Sequence, residues 1–92
     1  MNKSEARKLV SDLLAYEVRK DYSELRDMII QARQADLETQ GPSGAMYQVG
    51  IRYSWDDKPE GTIRIAASIN DGGLSVFLPL SVSDVVERRH IL

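Results

Sequence analysis

Apolar residues recur along this chain with two different periods, and the change of period divides it. From Ser4 to about Leu37 there is no Gly or Pro, and Ala6, Leu9, Val10, Leu13, Leu14 and Val18 follow one another at helical spacing. Such a stripe marks an amphipathic helix with one face on a core. Ser4 offers an N-cap, with Glu5 well placed against the helix dipole. The stripe runs on through Tyr22, Leu25, Ile29 and Ala32, yet Asp21 followed by Glu24 has the form of a capping box that starts a second helix. One long helix and two shorter ones both fit the spacing. A single helix would reach about 50 Å, too long for a small sheet to cover, so the expectation is two helices or one kinked near 21–23. Gly41 and Pro42 stop the helix, and residues 39–44 form a linker.

Beyond the linker the period becomes two. Tyr47, Val49, Ile51, Tyr53 and Trp55 alternate with Gln48, Gly50, Arg52 and Ser54. Ile63, Ile65, Ala67 and Ile69 alternate with Thr62, Arg64, Ala66 and Ser68, and Leu74, Val76, Leu78 and Leu80 with Ser75, Phe77 and Pro79. Alternation with β-branched and aromatic residues predicts half-buried strands over 47–55, 62–70 and 74–80. Asn70-Asp71-Gly72-Gly73 is a hairpin signal, because these residues tolerate positive φ. It implies Ile69 opposite Leu74. Pro79 cannot donate to a ladder and puts the third strand at an edge. Across the longer 56–61 loop, placing Trp55 opposite Ile63 keeps Arg52 from facing Arg64, which like-charge repulsion disfavours. After Leu80, Ser81 and Ser83 offer N-caps, and Val82, Val85 and Val86 suggest a short helix over 82–89. The β-branched residues weaken that reading, and a further strand is the alternative.

The expected fold is α+β and single-domain over 1–92. A helical segment (4–38) packs on one face of a three-stranded antiparallel meander (45–80), followed by a C-terminal segment (81–92). The sheet's inner face must be buried, and only the helical stripe is available to cover it. The outer face then carries Gly50, Arg52, Arg64, Ala66 and Phe77.

Composition narrows the function by elimination. At 92 residues, 42% hydrophobic and 28% charged, the chain has the make-up of one ordinary globular domain with a small core. A net charge of −2 and a pI of about 5.3 argue against nucleic-acid or anionic-membrane binding, which uses clustered Lys and Arg. No apolar run approaches the roughly 20 residues of a membrane span, and the charged start Met-Asn-Lys-Ser-Glu-Ala-Arg-Lys is unlike a signal peptide. Without cysteine there is no disulfide framework, and a cytoplasmic location suits such a chain.

Candidate chemistry is sparse. Asp56, Asp57 and Glu60 cluster around Lys58 but fail the EF-hand spacing, so they read as a solvated turn and no metal is expected. His90, the only histidine, sits near the C-terminus without an orienting partner. There is no thiol nucleophile, no G-x-S-x-G elbow and no phosphate-binding or dinucleotide motif. No cofactor and no catalysis are expected.

What remains is the outer sheet face. Arg52 and Arg64, beside the small Gly50 and Ala66 and the apolar Phe77, have the make-up of an interface anchor. The expected function is therefore a small acidic non-enzymatic interaction module, of the inhibitor, immunity-type or regulatory kind found among small bacterial and phage proteins. Its partner would be a protein or a second copy of the chain. The alternatives are an isomerase-like α+β cone with a small-molecule pocket between helices and sheet, and a purely structural homo-oligomer.

Overall fold

The computed structural model describes residues 2–72 and 80–88. Two helices, α1 (Lys3–Glu17) and α2 (Tyr22–Ile30), precede four strands: β1 (Ala35–Gln40), β2 (Met46–Trp55), β3 (Ile63–Asn70) and β4 (Leu80–Val86). The strands form one antiparallel sheet in the order β1-β2-β3-β4. The fold is α+β, as the periodicity predicts; the described residues form four strands where three are expected, and residues 82–88 do not form the expected C-terminal helix.

The helical segment is two helices. Asn2, two residues ahead of the expected Ser4, is the N-cap of α1, its Oδ1 accepting from Glu5 N at 3.1 Å. The helix closes with tight turns, Arg19 N to Tyr16 O and Lys20 N to Glu17 O. Extended backbone at Asp21 then starts α2, although the Asp21 side chain makes no capping hydrogen bond. α1 packs on β3 and β4 and α2 on β2. Ala6, Val10, Leu14 and Leu25 are buried against Tyr47, Val49, Ile51, Ile63, Ile65, Ala67 and Ile69, and Leu13, Val18, Tyr53, Trp55 and Val82 pack around them. These inward residues of β2 and β3 are those the alternation selects, and Trp55 does pair with Ile63.

The end of the helical segment differs from expectation. Helix α2 stops at Gln31, and Ala32 takes the left-handed conformation at φ 52°. Arg33 N then bonds Met28 O at 2.8 Å and Ala32 N bonds Ile29 O at 3.0 Å, the paired bonds of a Schellman cap. The turn frees 35–40, expected as helix and linker, to become β1, with Ala35, Leu37 and Thr39 half-buried between exposed Asp36, Glu38 and Gln40. Gly41 and Pro42 therefore lie in the β1–β2 turn and do not end a helix. A Cβ in the left-handed region costs about 1–2 kcal/mol, whereas glycine avoids that clash at some entropic cost. Ala32→Gly is expected to stabilise the protein by about 0.5–1 kcal/mol, read as a higher denaturant midpoint with unchanged slope. A lower midpoint would contradict the cap.

The C-terminal expectation is also corrected. Residues 80–86 form a strand, not a helix, and pair with β3 so that Ile69 faces Leu80, Ala67 faces Val82 and Ile63 faces Val86. Valines at 82, 85 and 86 favour the pleated surface over a helix. On this side Ile69 is paired with Leu80, and the expected partner Leu74 lies outside the described residues. The expected strand over 74–80, apart from Leu80, lies outside the described residues, as do Phe77, Pro79 and His90.

Candidate functional site

With both helices on one side, the other face of the sheet is left without a covering layer among the described residues. Strand pairing sets its side chains in rows. Asp36, Gly50, Ser68 and Ser81 lie side by side across the four strands. The next row is Arg52, Ala66 and Ser83, and beyond it come Ser54, Arg64 and Val85. Gly50, Arg52, Arg64 and Ala66 thus share one surface, as the alternation predicts. Arg52 and Arg64 sit diagonally, with no direct opposition.

Neither arginine is free. Arg52 reaches back over Gly50, and its Nη1 lies 3.2 Å from Asp36 Oδ1 and 3.2 Å from the Ile51 carbonyl. A Cβ at position 50 would stand 3.4 Å from both partners of that pair and 3.3 Å from Ser68 Oγ. The pair therefore lies close against the bare backbone of Gly50. Arg64 donates through Nε to Asp56 Oδ1 at 2.7 Å and through Nη1 to Ser83 Oγ at 2.9 Å. These are solvent-exposed pairs and contribute little to stability. Their effect is to fix two guanidiniums in place. Beside Arg52 the surface dips into a shallow open depression of about 490 Å³ between Asp36, Glu38, Gln48 and Asn70.

The carboxylates of the β2–β3 loop have local work. Asp57 Oδ1 accepts from Lys58 N at 2.7 Å and Thr62 N at 3.0 Å, and these backbone donors hold its carboxyl below the usual range. Glu60, at φ 68°, pairs with Arg26 Nε at 2.8 Å, and Tyr22 Oη donates to the Gly61 carbonyl at 2.6 Å. The loop is thereby tied to α2. Among the described residues, no group of three or more His, Cys, Asp or Glu converges as metal ligands.

The sequence reading misses Glu17 altogether and gives Glu5 only a role against the helix dipole. Glu17 is buried at 7% exposure, receives the Tyr53 hydroxyl at 2.9 Å and pairs with Lys20 Nζ at 2.9 Å. Burial, reinforced by the Glu17 hydrogen bond, pushes the Tyr53 phenol up, so it stays a neutral donor. The triad has each member satisfied by another and presents no idle nucleophile. Glu17 lies three residues after Leu14, in line with the apolar stripe, and that position is the signal that could have marked it. Glu5, at the other end of α1, receives Ser43 N at 3.0 Å, Ser43 Oγ at 2.6 Å and Tyr47 Oη at 3.1 Å. It clamps the β1–β2 turn to the helix. An open recess of about 830 Å³ lies between the α1–α2 connection and the end of β4, lined by Arg19, Lys20, Asp21 and Val86.

Among the described residues, no helix is long and apolar enough to cross a membrane. No protein-family model matches the chain, and no match to a curated protein or to a solved structure is found.

Proposed function

We propose that this protein is a non-enzymatic interaction module that seats a protein partner, a second copy of the chain first among the candidates, on the open face of its sheet. The observation that supports this reading is the asymmetry of the sheet. One face is sealed by α1 and α2, while the other bears small residues, Gly50, Ala66 and Ser68, beside two guanidiniums already held in position. Arginines fixed by local carboxylates lose less rotamer freedom when a partner arrives. Among the described residues, Arg52 bonds through Nη1 and Arg64 through Nε and Nη1, and a guanidinium has five N–H donors to offer such a partner. An inhibitor, an immunity-type protein or a small regulator would act in this way, by occupation alone. The layer between helices and sheet is filled by the buried core, which speaks against the pocketed cone.

The test is sedimentation of the parent chain and of the double variant Arg52→Glu/Arg64→Glu over a wide concentration range. Both side chains lie outside the core, so the variant should keep the parent's circular dichroism. The parent is expected to dimerise with concentration and the variant to stay at 10.4 kDa. A parent that never exceeds that mass removes the second copy as the partner. A folded variant that associates as tightly as the parent removes the face.

A further inference from the structure

The two ends of the sheet are finished differently. At one end, β4 places Asp84 opposite Ile65, on the side of the core residues, where it stays exposed. An inward-pointing charge of this kind guards an edge against strand addition. At the other end, β1 has no described strand beyond it. It pairs with β2 residue for residue from Ala35–Ile51 to Gln40–Met46, with no bulge, and it contains no proline and no lysine. Of the usual protections of a free edge, bulge, proline, lysine and inward-pointing charge are absent from β1, and its two charges, Asp36 and Glu38, both lie on the outer side.

What β1 carries instead is an acidic row, Asp36 and Glu38, on the outer side of the sheet. Asp36 is shared with Arg52, while Glu38 is exposed and makes no ion pair with a described residue. The row discriminates between occupants. A second copy paired antiparallel about Leu37 would set Asp36 against Glu38. Pairing about Asp36 or about Glu38 would set each residue against itself. Like charges directly opposite one another destabilise a ladder. A strand with Lys or Arg at alternate positions meets the same row favourably, and small or β-branched residues between them would cover half-buried Leu37. The depression beside Gly50 lies next to this edge. A long cationic arm can lie across it toward Glu38 and Gln48, away from Arg52.

We propose that the free edge of β1 binds an extended basic segment of a partner protein as an added strand, main-chain hydrogen bonds supplying affinity and Asp36 and Glu38 the choice of sequence. The proposal rests on the reading that this protein works by binding proteins, and it assigns a partner chemistry that the open face alone does not.

The test titrates the isotopically labelled full chain with three short capped peptides: lysine alternating with threonine, glutamate alternating with threonine, and lysine alternating with proline. The Lys/Thr peptide is expected to move the amide resonances of residues 35–40 most and to slow their hydrogen exchange. The Lys/Pro peptide has equal charge but half its ladder donors missing, and should give no such protection. The Glu/Thr peptide should not bind. Asp36→Asn/Glu38→Gln should weaken the Lys/Thr peptide by about tenfold, the loss of two cross-strand charge pairs somewhat above the middle of their range. Equal binding of the Lys/Thr and Lys/Pro peptides, shifts centred on Ala66 and Ser83, or no binding would each overturn the proposal. If the peptides fail while Arg52→Glu/Arg64→Glu still abolishes dimerisation, only the edge is lost. If neither a peptide nor a second copy binds, the protein-binding reading falls with it.

Discussion

Ile65→Ala is expected to remove a large share of this protein's stability. Ile65 is fully buried in the middle of β3, flanked across the ladders by Tyr53 of β2 and Asp84 of β4, on the face covered by α1. Truncating such a side chain loses its transfer free energy and leaves a cavity that the surroundings fill only in part, at about 2–5 kcal/mol. A domain of this size has about 5–14 kcal/mol in all. At about 4–8 °C per kcal/mol, the melting temperature should drop by about 8–40 °C. Ala66→Ser is the control, one residue along the same strand and on the opposite face. It should stay within about 0.5 kcal/mol of the parent. Equal shifts for the two would place the core on the wrong side of the sheet.

That contrast rests on the part of the fold most legible in the sequence. Alternation in β2 and β3 is unbroken over many residues, and a slip of one would turn every isoleucine to water. The register and the buried set were therefore both readable. Elsewhere the local signals were equivocal. β1 is short, and Asp36 and Glu38 are poor strand formers. The end of α2 is hidden because alanine stands where a helix terminus usually shows glycine. Near the C-terminus two neighbouring segments, 74–80 and 80–86, both have spacings compatible with a strand. Alternation cannot choose which of them pairs with β3.

The same gaps limited the site. Parity alone put Gly50, Arg52, Arg64 and Ala66 on one surface, since it needs only β2 and β3. The partner of Arg52 could not be foreseen, because Asp36 was assigned to a helix. The acidic edge of β1 was invisible for the same reason. Asp57 reads as a solvated turn residue in the sequence, yet it organises its loop through backbone donors that only the folded turn brings together.

The second large effect is expected at Gly41. It is buried where β1 turns into β2, under the Glu5 carboxylate and the Tyr47 ring. A methyl group at this position would overlap a Glu5 oxygen and stand 3.0 Å from the Tyr47 ring. Glu5 would have to leave, breaking its bonds to Ser43 N, Ser43 Oγ and Tyr47 Oη. Overpacking of this kind costs about 1–3 kcal/mol, and Gly41→Ala is expected to lower the melting temperature accordingly. Two checks separate the clamp from a generic steric fault. The first is coupling: Glu5→Ala removes both the obstacle and the clamp, so Gly41→Ala should cost much less in that background than in the parent. The second is pH. The Ser43 hydroxyl, then the Ser43 backbone N–H and more weakly Tyr47 hold the Glu5 carboxyl below its ordinary value of 4.5. A carboxyl with a depressed pKa contributes stability above its unfolded value and loses it as pH falls through the folded one. The gap between parent and Gly41→Ala should therefore be widest near neutral pH and narrow below 4.5. Asp57 and Glu60 titrate in both proteins and drop out of the difference. Strict additivity with Glu5→Ala, together with a gap that does not change on acidification, would show that Glu5 does not hold the turn.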